Sequence, residues 1–221
     1  MSTVNLFFSR LLLPPTLHDL HDVHDAVWRG FRHTAPVEGQ RLFLFRADRV
    51  AVDEHVRAWK VLVQATVAAD WSGVPAIEAT TKEAAVSLGA GESLRFFLRA
   101  NPVTSVKGRT QNHFAELDPE AFRAERGLKI AVRGEEALEA WLRAQGTSHG
   151  FAVDAVRLAR HHRESWRARS SGAGHAVHEG ADFEGHLRVV DADRLLAAVT
   201  TGLGRARGFG FGLLSLAREL G

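Results

Sequence analysis

The chain has 221 residues, a formal net charge of +2, 45% hydrophobic residues and no cysteine. This length provides one large core or two small ones, and the lack of cysteine excludes a disulfide framework and a thiolate zinc site. No apolar run approaches the length of a membrane span and Arg10 interrupts the apolar N-terminal segment, so we expect a cytoplasmic protein with no signal peptide and no membrane partner.

The first half of the chain combines strand-like segments with one amphipathic helix. Leu20, Val23, Val27 and Phe31 repeat at helical spacing, and Asp19 is a suitable N-cap. Strands are predicted at residues 5–13, 41–47, 60–67 and 94–100, whereas 78–88 is ambiguous. The order in this half is therefore strand, helix, strand, strand, an unclear segment and strand.

A second pattern begins after a polar connector at residues 103–126. Strands are predicted at 128–132, 151–158, 183–190 and 212–217, with helices around Leu138 and Leu142 and over 191–201. A polar insert separates the strand at 151–158 from the strand at 183–190. The order strand-helix-strand-strand-helix-strand is that of the split ferredoxin-like unit.

A glycine-rich stretch from Gly202 to Gly212 links the last helix to the last strand. A dinucleotide-binding fingerprint requires the opposite order, with the glycines between a strand and a helix, and no P-loop signature is present. Glycines beside Arg205 and Arg207 allow close backbone approach together with positive charge, which suits a phosphodiester chain. Gly204, Arg205 and Arg207 are therefore candidate RNA-binding residues, the alternative being a helix C-cap and a tight turn before an edge strand.

The first helix carries His21 and His24, three residues apart and therefore on one face. A histidine pair on a solvated helix face usually has no function, and from composition alone that alternative remains open. Metal binding is a further alternative, but the other histidines that would complete a site, His161, His162, His175 and His178, lie far along the sequence. We therefore expect no metal and no cofactor.

Arginines are densest in the insert between the second unit's two middle strands. Trp166 lies among them and Glu164 opposes them in sequence, a composition that favours contact with an RNA backbone over a solvated hairpin or loop. The candidate RNA-binding residues of this run are Arg157, Arg160, Arg163, Arg167 and Arg169. Lys107 and Arg109 extend the predicted path. The five tryptophans are expected to be mostly core, with Trp28 packing rather than stacking on a base.

The chain resembles the RAMP superfamily of CRISPR-associated proteins, whose members end in such a glycine-rich loop. More narrowly, it is similar to the CasE family of the type I-E Cascade complex. That resemblance rests on the helix motif from Leu20 to Trp28, the Leu-Arg-Ala-Asn-Pro turn at 98–102, the basic segment near Lys129 and the glycine stretch. The family motif Leu-Tyr-x-Leu-His-x-x-Leu-Trp aligns its catalytic histidine with His24.

The resemblance implies an α+β fold of two tandem ferredoxin-like domains. It also implies an N-terminal domain at residues 1–102, a connector at 103–126 and a C-terminal domain at 127–221. The family's tyrosine falls on His21, so either His21 replaces it or the site depends on His24 alone. Arg29 is the candidate phosphate contact, and Arg126 and Lys129 belong to a segment that enters the groove of an RNA hairpin in the family.

The implied activity is cleavage of a CRISPR repeat hairpin by a metal-independent endoribonuclease that then joins other Cascade subunits. The chemistry fits these residue types, because attack of a 2′-OH on the adjacent phosphate needs proton transfer, which histidine performs, and charge neutralisation, which arginine supplies. Two alternatives remain at this point. The first is a non-catalytic RNA-binding RAMP subunit, and the second is a ferredoxin-like module for metabolite binding or oligomerisation.

Overall fold

The computed structural model describes residues 1–35, 41–52, 54, 56–106, 128–167 and 175–218. The strands are β1 Ser2–Leu13, β2 Phe43–Ala51, β3 Arg57–Ala65, β4 Glu78–Leu88, β5 Ser93–Ala100, β6 Val103–Val106, β7 Leu128–Ala131, β8 Phe151–Arg167, β9 His175–Val189 and β10 Leu214–Ala217. The helices are α1 Leu20–Arg29, α2 Glu135–His149 and α3 Ala192–Thr201, followed by a 3-10 turn at Arg207–Phe209. None of the helices in this described part is long and apolar enough to cross a membrane.

The first unit is an antiparallel sheet with strand order β2-β3-β1-β4, the order of a ferredoxin-like fold. The ambiguous segment at 78–88 is strand β4, which pairs with β1 from Leu12↔Glu78 to Ser2↔Leu88. Residues 66–77, between β3 and β4, contain no helix. Instead, Trp71 from this connection packs edge-on against Phe31, with ring centroids 5.8 Å apart.

The second unit is an antiparallel sheet with order β10-β5-β9-β8, and α2 and α3 contribute to its core. Strand β5 lies between β10 and β9, so the prediction that residues 94–100 belong to the first unit is wrong. Strand β7 pairs with β6 in a separate two-stranded ribbon and is not the first strand of the second sheet. Alternation identifies a strand but not its partner, since pairing depends on contacts distant in sequence.

The domain limits follow from sheet membership. Strand β5 starts five residues after β4 ends, and the turn between them contains Gly91 with φ +84°. The tandem ferredoxin-like architecture predicted from the resemblance is confirmed. We propose that its second unit begins near Ser93 rather than at residue 127, which shortens the N-terminal domain predicted at 1–102 and moves the connector of 103–126 inside the second unit.

Both faces of the first sheet contribute residues to an apolar core. Leu11 and Leu13 point toward α1, whereas Leu6 lies in the core that the first sheet shares with the second unit. Across that interface Gln64 Nε2 donates a 2.6 Å hydrogen bond to the carbonyl of Val199 on α3. The two units therefore pack directly on one another.

Strands β8 and β9 form a long hairpin that is much longer than predicted, because residues 159–167 and 175–182 continue the pairing as far as Arg167↔His175. The sequence suggested a polar insert there, since a solvated ribbon lacks the apolar alternation of a core strand. Acidic residues on β9 also face several arginines of the basic run on β8. In register, Arg157 faces Glu184, Arg160 faces Asp182 and Arg163 faces Glu179, and Arg157 forms an ion pair with Glu184.

Candidate active site and nucleic-acid interface

Helix α1 holds the two predicted histidines in fixed positions. The Asp19 side chain caps the helix by accepting hydrogen bonds from the backbone N–H groups of His21 and Asp22, both at 2.9 Å. The buried stripe that includes Val23 and Val27 anchors the helix on the first sheet. His21 and His24 therefore lie on the side of the helix that remains partly exposed.

The glycine stretch folds into a compact turn that reaches this face of α1. Gly202, Gly204, Gly210 and Gly212 have positive φ, and a Cβ on Gly212 would lie 2.7 Å from the carbonyl oxygen of Leu203. Only glycine fits such a position without strain. The turn ends where the Gly212 N–H donates a 2.7 Å hydrogen bond to the carbonyl of Arg99.

The turn places Gly208 and Phe209 against the histidines. A Cβ built on Gly208 would lie 3.8 Å from His24 Cε1, and the Phe209 ring centroid lies 6.1 Å from that of His24 and 6.0 Å from that of His21. The fold therefore brings the first helix and the glycine stretch together. Phe211 is buried and Phe209 is only partly buried.

Arg41, just before β2, is a third component of the site that sequence reasoning missed. A Cβ on Gly208 would lie 3.9 Å from Arg41 Nη1. Burial, and then the positive charge of Arg207, lower the pKa of Arg41. Within the described residues no carboxylate pairs with either guanidinium, and Arg207 donates instead to the carbonyls of Thr201 and Gly202. Two adjacent cations without a counter-ion form an attractive site for a phosphate.

The environment of His24 favours its neutral form. Burial is the largest influence and lowers the pKa of His24. Asp25 opposes this shift, the charges of His21 and Arg41 reinforce it, and the nearby backbone of Gly208 opposes it. A neutral imidazole is ready to accept a proton. His21 Nδ1 lies 3.3 Å from Asp25 Oδ2, a contact that orients the second ring.

His178 on β9 completes the wall of the site behind Phe209. Its ring stacks on that of Phe209 with centroids 5.7 Å apart, and burial lowers the pKa of His178. Sequence reasoning considered His178 only as a weak metal ligand. Among the described residues no three histidine, aspartate or glutamate side chains are grouped to hold a metal ion.

Four of the predicted RNA-binding residues line one polar cavity of about 320 Å³ on the second unit. They come from two segments that are distant in sequence and are Lys129, Gly204, Arg205 and Arg207. His149, at the end of α2, lines the same cavity. The charge of Arg207 also lowers the pKa of Arg41, so the positive field of this basic cavity reaches the site around His24.

The other predicted residues do not join this cluster. On the hairpin, Arg157 pairs with Glu184, and the cavities lined by Arg160 and Arg163 are different ones. Arg29 is exposed in the last turn of α1. Arg167 ends β8, and its side chain is outside the described part. The predicted residues that lie wholly outside it are Lys107, Arg109, Arg126 and Arg169.

Trp28 differs from its prediction. It is 44% exposed rather than part of the core, whereas Trp59 is 6% exposed and donates its indole N–H to the carbonyl of Leu17. The spacing along the helix could have predicted this position, because at 3.6 residues per turn Trp28 lies about 40° from His24 on the helix surface. The three residues His21, His24 and Trp28 therefore share one face of α1.

Comparison with known proteins identifies the family of this chain. The model of the CRISPR associated protein family matches residues 5–218. This chain belongs to that family. The CRISPR-associated endoribonuclease Cse3 of Thermus thermophilus is 30% identical to this CRISPR-associated protein over 174 residues, covering 71% of this chain and 72% of the relative. The Cascade subunit CasE of Escherichia coli is 28% identical over 201 residues, covering 90% and 92%.

A solved structure is similar over almost the whole length of this CRISPR-associated protein. It is Thermus thermophilus Cse3 bound to an RNA that represents a pre-cleavage complex, with a TM-score of 0.73 and 25% identity, covering 96% of this chain and 99% of that one. The resemblance to the CasE family that the helix motif and the glycine stretch suggested is confirmed.

Proposed function

We propose that this protein is a metal-independent endoribonuclease that binds a CRISPR repeat hairpin, cleaves it and remains with other subunits in a Cascade-type complex in the cytoplasm. Its relatives are named as a CRISPR endoribonuclease and as a Cascade subunit. The observation that carries the proposal is the convergence of His24 with Arg41, Arg207 and the backbone of Gly208. Proton transfer and charge neutralisation are thereby available at one point.

In the proposed reaction His24 takes the proton from the 2′-OH of the nucleotide before the cut. The 2′-oxygen forms a bond to the adjacent phosphorus while the bond from phosphorus to the 5′-oxygen of the next nucleotide breaks. The products are a 2′,3′-cyclic phosphate and a 5′-OH, whose proton comes from His21, the residue that takes the place of the family's tyrosine. Arg41 and Arg207 neutralise the charge that develops on the phosphoryl oxygens.

The basic cavity gives the RNA a second point of attachment. Lys129 and Arg205 are exposed there, and Gly204 allows the backbone to approach closely. The deep, narrow major groove of an A-form stem resists readout by side chains, so loops and arginines at the base of the stem are suitable contacts. We propose that this cavity binds the sugar-phosphate backbone of the hairpin.

The defining experiment incubates the purified protein with a synthetic repeat hairpin in excess EDTA. We expect cleavage at one position, unchanged by the chelator, with a 2′,3′-cyclic phosphate on the upstream product. A gel mobility shift without shortening of the RNA would instead support the non-catalytic RNA-binding subunit. Absence of a salt-sensitive shift would exclude both and leave the ferredoxin-like metabolite module.

Replacing Arg41 with alanine tests the phosphate site. Hydrogen bonds to charged groups contribute about 1.5–3 kcal/mol, so we expect single-turnover cleavage to fall about 10- to 100-fold with the cut position unchanged. The matched variant Arg29→Ala tests the phosphate contact suggested by sequence, and Arg32→Ala controls for loss of a nearby positive charge. If Arg29→Ala lost more activity than Arg41→Ala, the phosphate would lie on the other side of His24.

A further inference from the structure

Trp28 places an exposed aromatic surface directly beside His24. The planes of the two rings differ by 22°, with centroids 6.3 Å apart, and the indole also contacts Phe43 at 5.7 Å. Phe43 is itself buried and stacked on Phe31, with centroids 4.9 Å apart. The indole therefore rests on a fixed aromatic base while 44% of the residue's surface remains open to solvent.

We propose that Trp28 is a stacking platform for the nucleobase of a nucleotide that borders the cleaved phosphodiester bond. This inference rests on the proposed function, since it assigns a substrate contact within the same site. Every nucleobase presents a π-face, so such a platform binds bases with little regard to sequence. The fixed ring loses little conformational freedom on binding, which favours stacking.

The geometry of the cleavage reaction explains why a stacking platform is needed beside His24. The 2′-oxygen, the phosphorus and the departing 5′-oxygen must come close to a straight line, and continuous stacking along an A-form strand holds them away from it. A base rotated out of the strand allows that alignment but loses its stacking partners. Trp28 is one helical turn from His24, where the rotated nucleotide would lie. Its indole replaces the lost stacking partners.

A protein partner is the competing occupant of an exposed tryptophan. Stable protein interfaces bury about 800 Å² per partner around an apolar centre, so other exposed apolar side chains would be expected next to Trp28. In the described residues the other large exposed apolar side chains apart from the N-terminal methionine are Val52, Ile77, Val177 and Val190, which belong to other segments of the chain. The neighbours of Trp28 are instead His24 and Phe43, which favours an RNA base.

The test uses a repeat hairpin in which the attacking 2′-OH is replaced by hydrogen and one base beside the cut is 2-aminopurine. We expect binding to the wild type to quench 2-aminopurine fluorescence at one of the two flanking positions. Trp28→Ala should abolish that quenching and slow cleavage of the unmodified hairpin about tenfold. Trp28→Phe should retain most of both, and Ile77→Ala, which removes an exposed apolar side chain before β4, should leave both unchanged.

The outcomes separate this inference from the function on which it rests. If the wild type cuts the hairpin but Trp28→Ala cuts equally fast and quenches equally well, the platform is refuted and the nuclease stands. If Trp28→Ala cuts normally but no longer assembles with other Cascade subunits, Trp28 is a protein contact. If the wild type neither cuts nor binds the hairpin, the proposed function fails and this inference with it.

Discussion

Replacing His24 with alanine is expected to slow single-turnover cleavage of the repeat hairpin by about 10²- to 10⁴-fold, the range that one proton-transfer residue supplies. RNA affinity should change little, because the basic cavity and the Arg41–Arg207 pair remain in place. Cleavage is measured by gel electrophoresis with excess enzyme, and affinity by mobility shift with a 2′-deoxy hairpin. A variant that cut at the wild-type rate would remove His24 from the reaction.

The pH dependence of the wild type provides a second readout of the same assignment. Because the pKa of His24 is lowered from its ordinary 6.5, chiefly by burial, the neutral imidazole predominates at neutral pH. If His24 acts as the base, the rate rises with pH as the imidazolium loses its proton and levels off with a midpoint below 6.5. The rising limb should be absent from the residual activity of His24→Ala.

Two histidine variants complete the comparison. His33→Ala removes an exposed imidazole just beyond α1 and is expected to leave both rate and affinity unchanged. His21→Ala separates the two alternatives that the sequence left open. A loss comparable to that of His24→Ala would mean that His21 has replaced the family's tyrosine, whereas full activity would mean that His24 acts without it.

The sequence predicted those parts of the site that depend on local rules. Apolar spacing and the Asp19 cap located α1, and the glycines located a turn that only glycine can form. Local spacing could not predict that His24 lies beside Gly208, since the two are 184 residues apart in sequence.

The parts that were missed depend on long-range contacts. Arg41 marked only the start of a predicted strand, and the path of β2 past α1 brings it to His24. The arginine run on β8 looked uncompensated because its opposing acids on β9 are 16 to 27 residues away in sequence. The sheet membership of β5 was likewise decided by its partners β9 and β10, which are distant along the chain.

Arg99 links the two units through buried hydrogen bonds. It is 9% exposed and donates from Nε to Asp182 Oδ1, from Nη1 to the carbonyl of Ala47 and from Nη2 to Asp48 Oδ1, all at 2.8 Å. Burial alone would raise the pKa of Asp182, which is 4% exposed, but hydrogen bonds from His162 and Arg99 lower it to about 2. One side chain thus connects β2 of the first sheet with β5 and β9 of the second.

Replacing Arg99 with alanine is expected to lower the free energy of unfolding by about 3–5 kcal/mol, because the Asp182 carboxylate loses its main cation while staying buried. Urea unfolding followed by circular dichroism measures the change, and Arg95→Ala, which removes an exposed arginine on the same strand, should alter stability by no more than about 0.5 kcal/mol.

Since the pKa of Asp182 is depressed from 3.8 to about 2, the stabilising contribution of this carboxylate is present above the higher value and is lost as pH falls toward the lower one. Arg99→Ala should therefore show a smaller loss of stability than the wild type across that acid range. Equal losses in the two proteins, or a variant as stable as Arg95→Ala, would mean that the contact between the units depends on its apolar core alone.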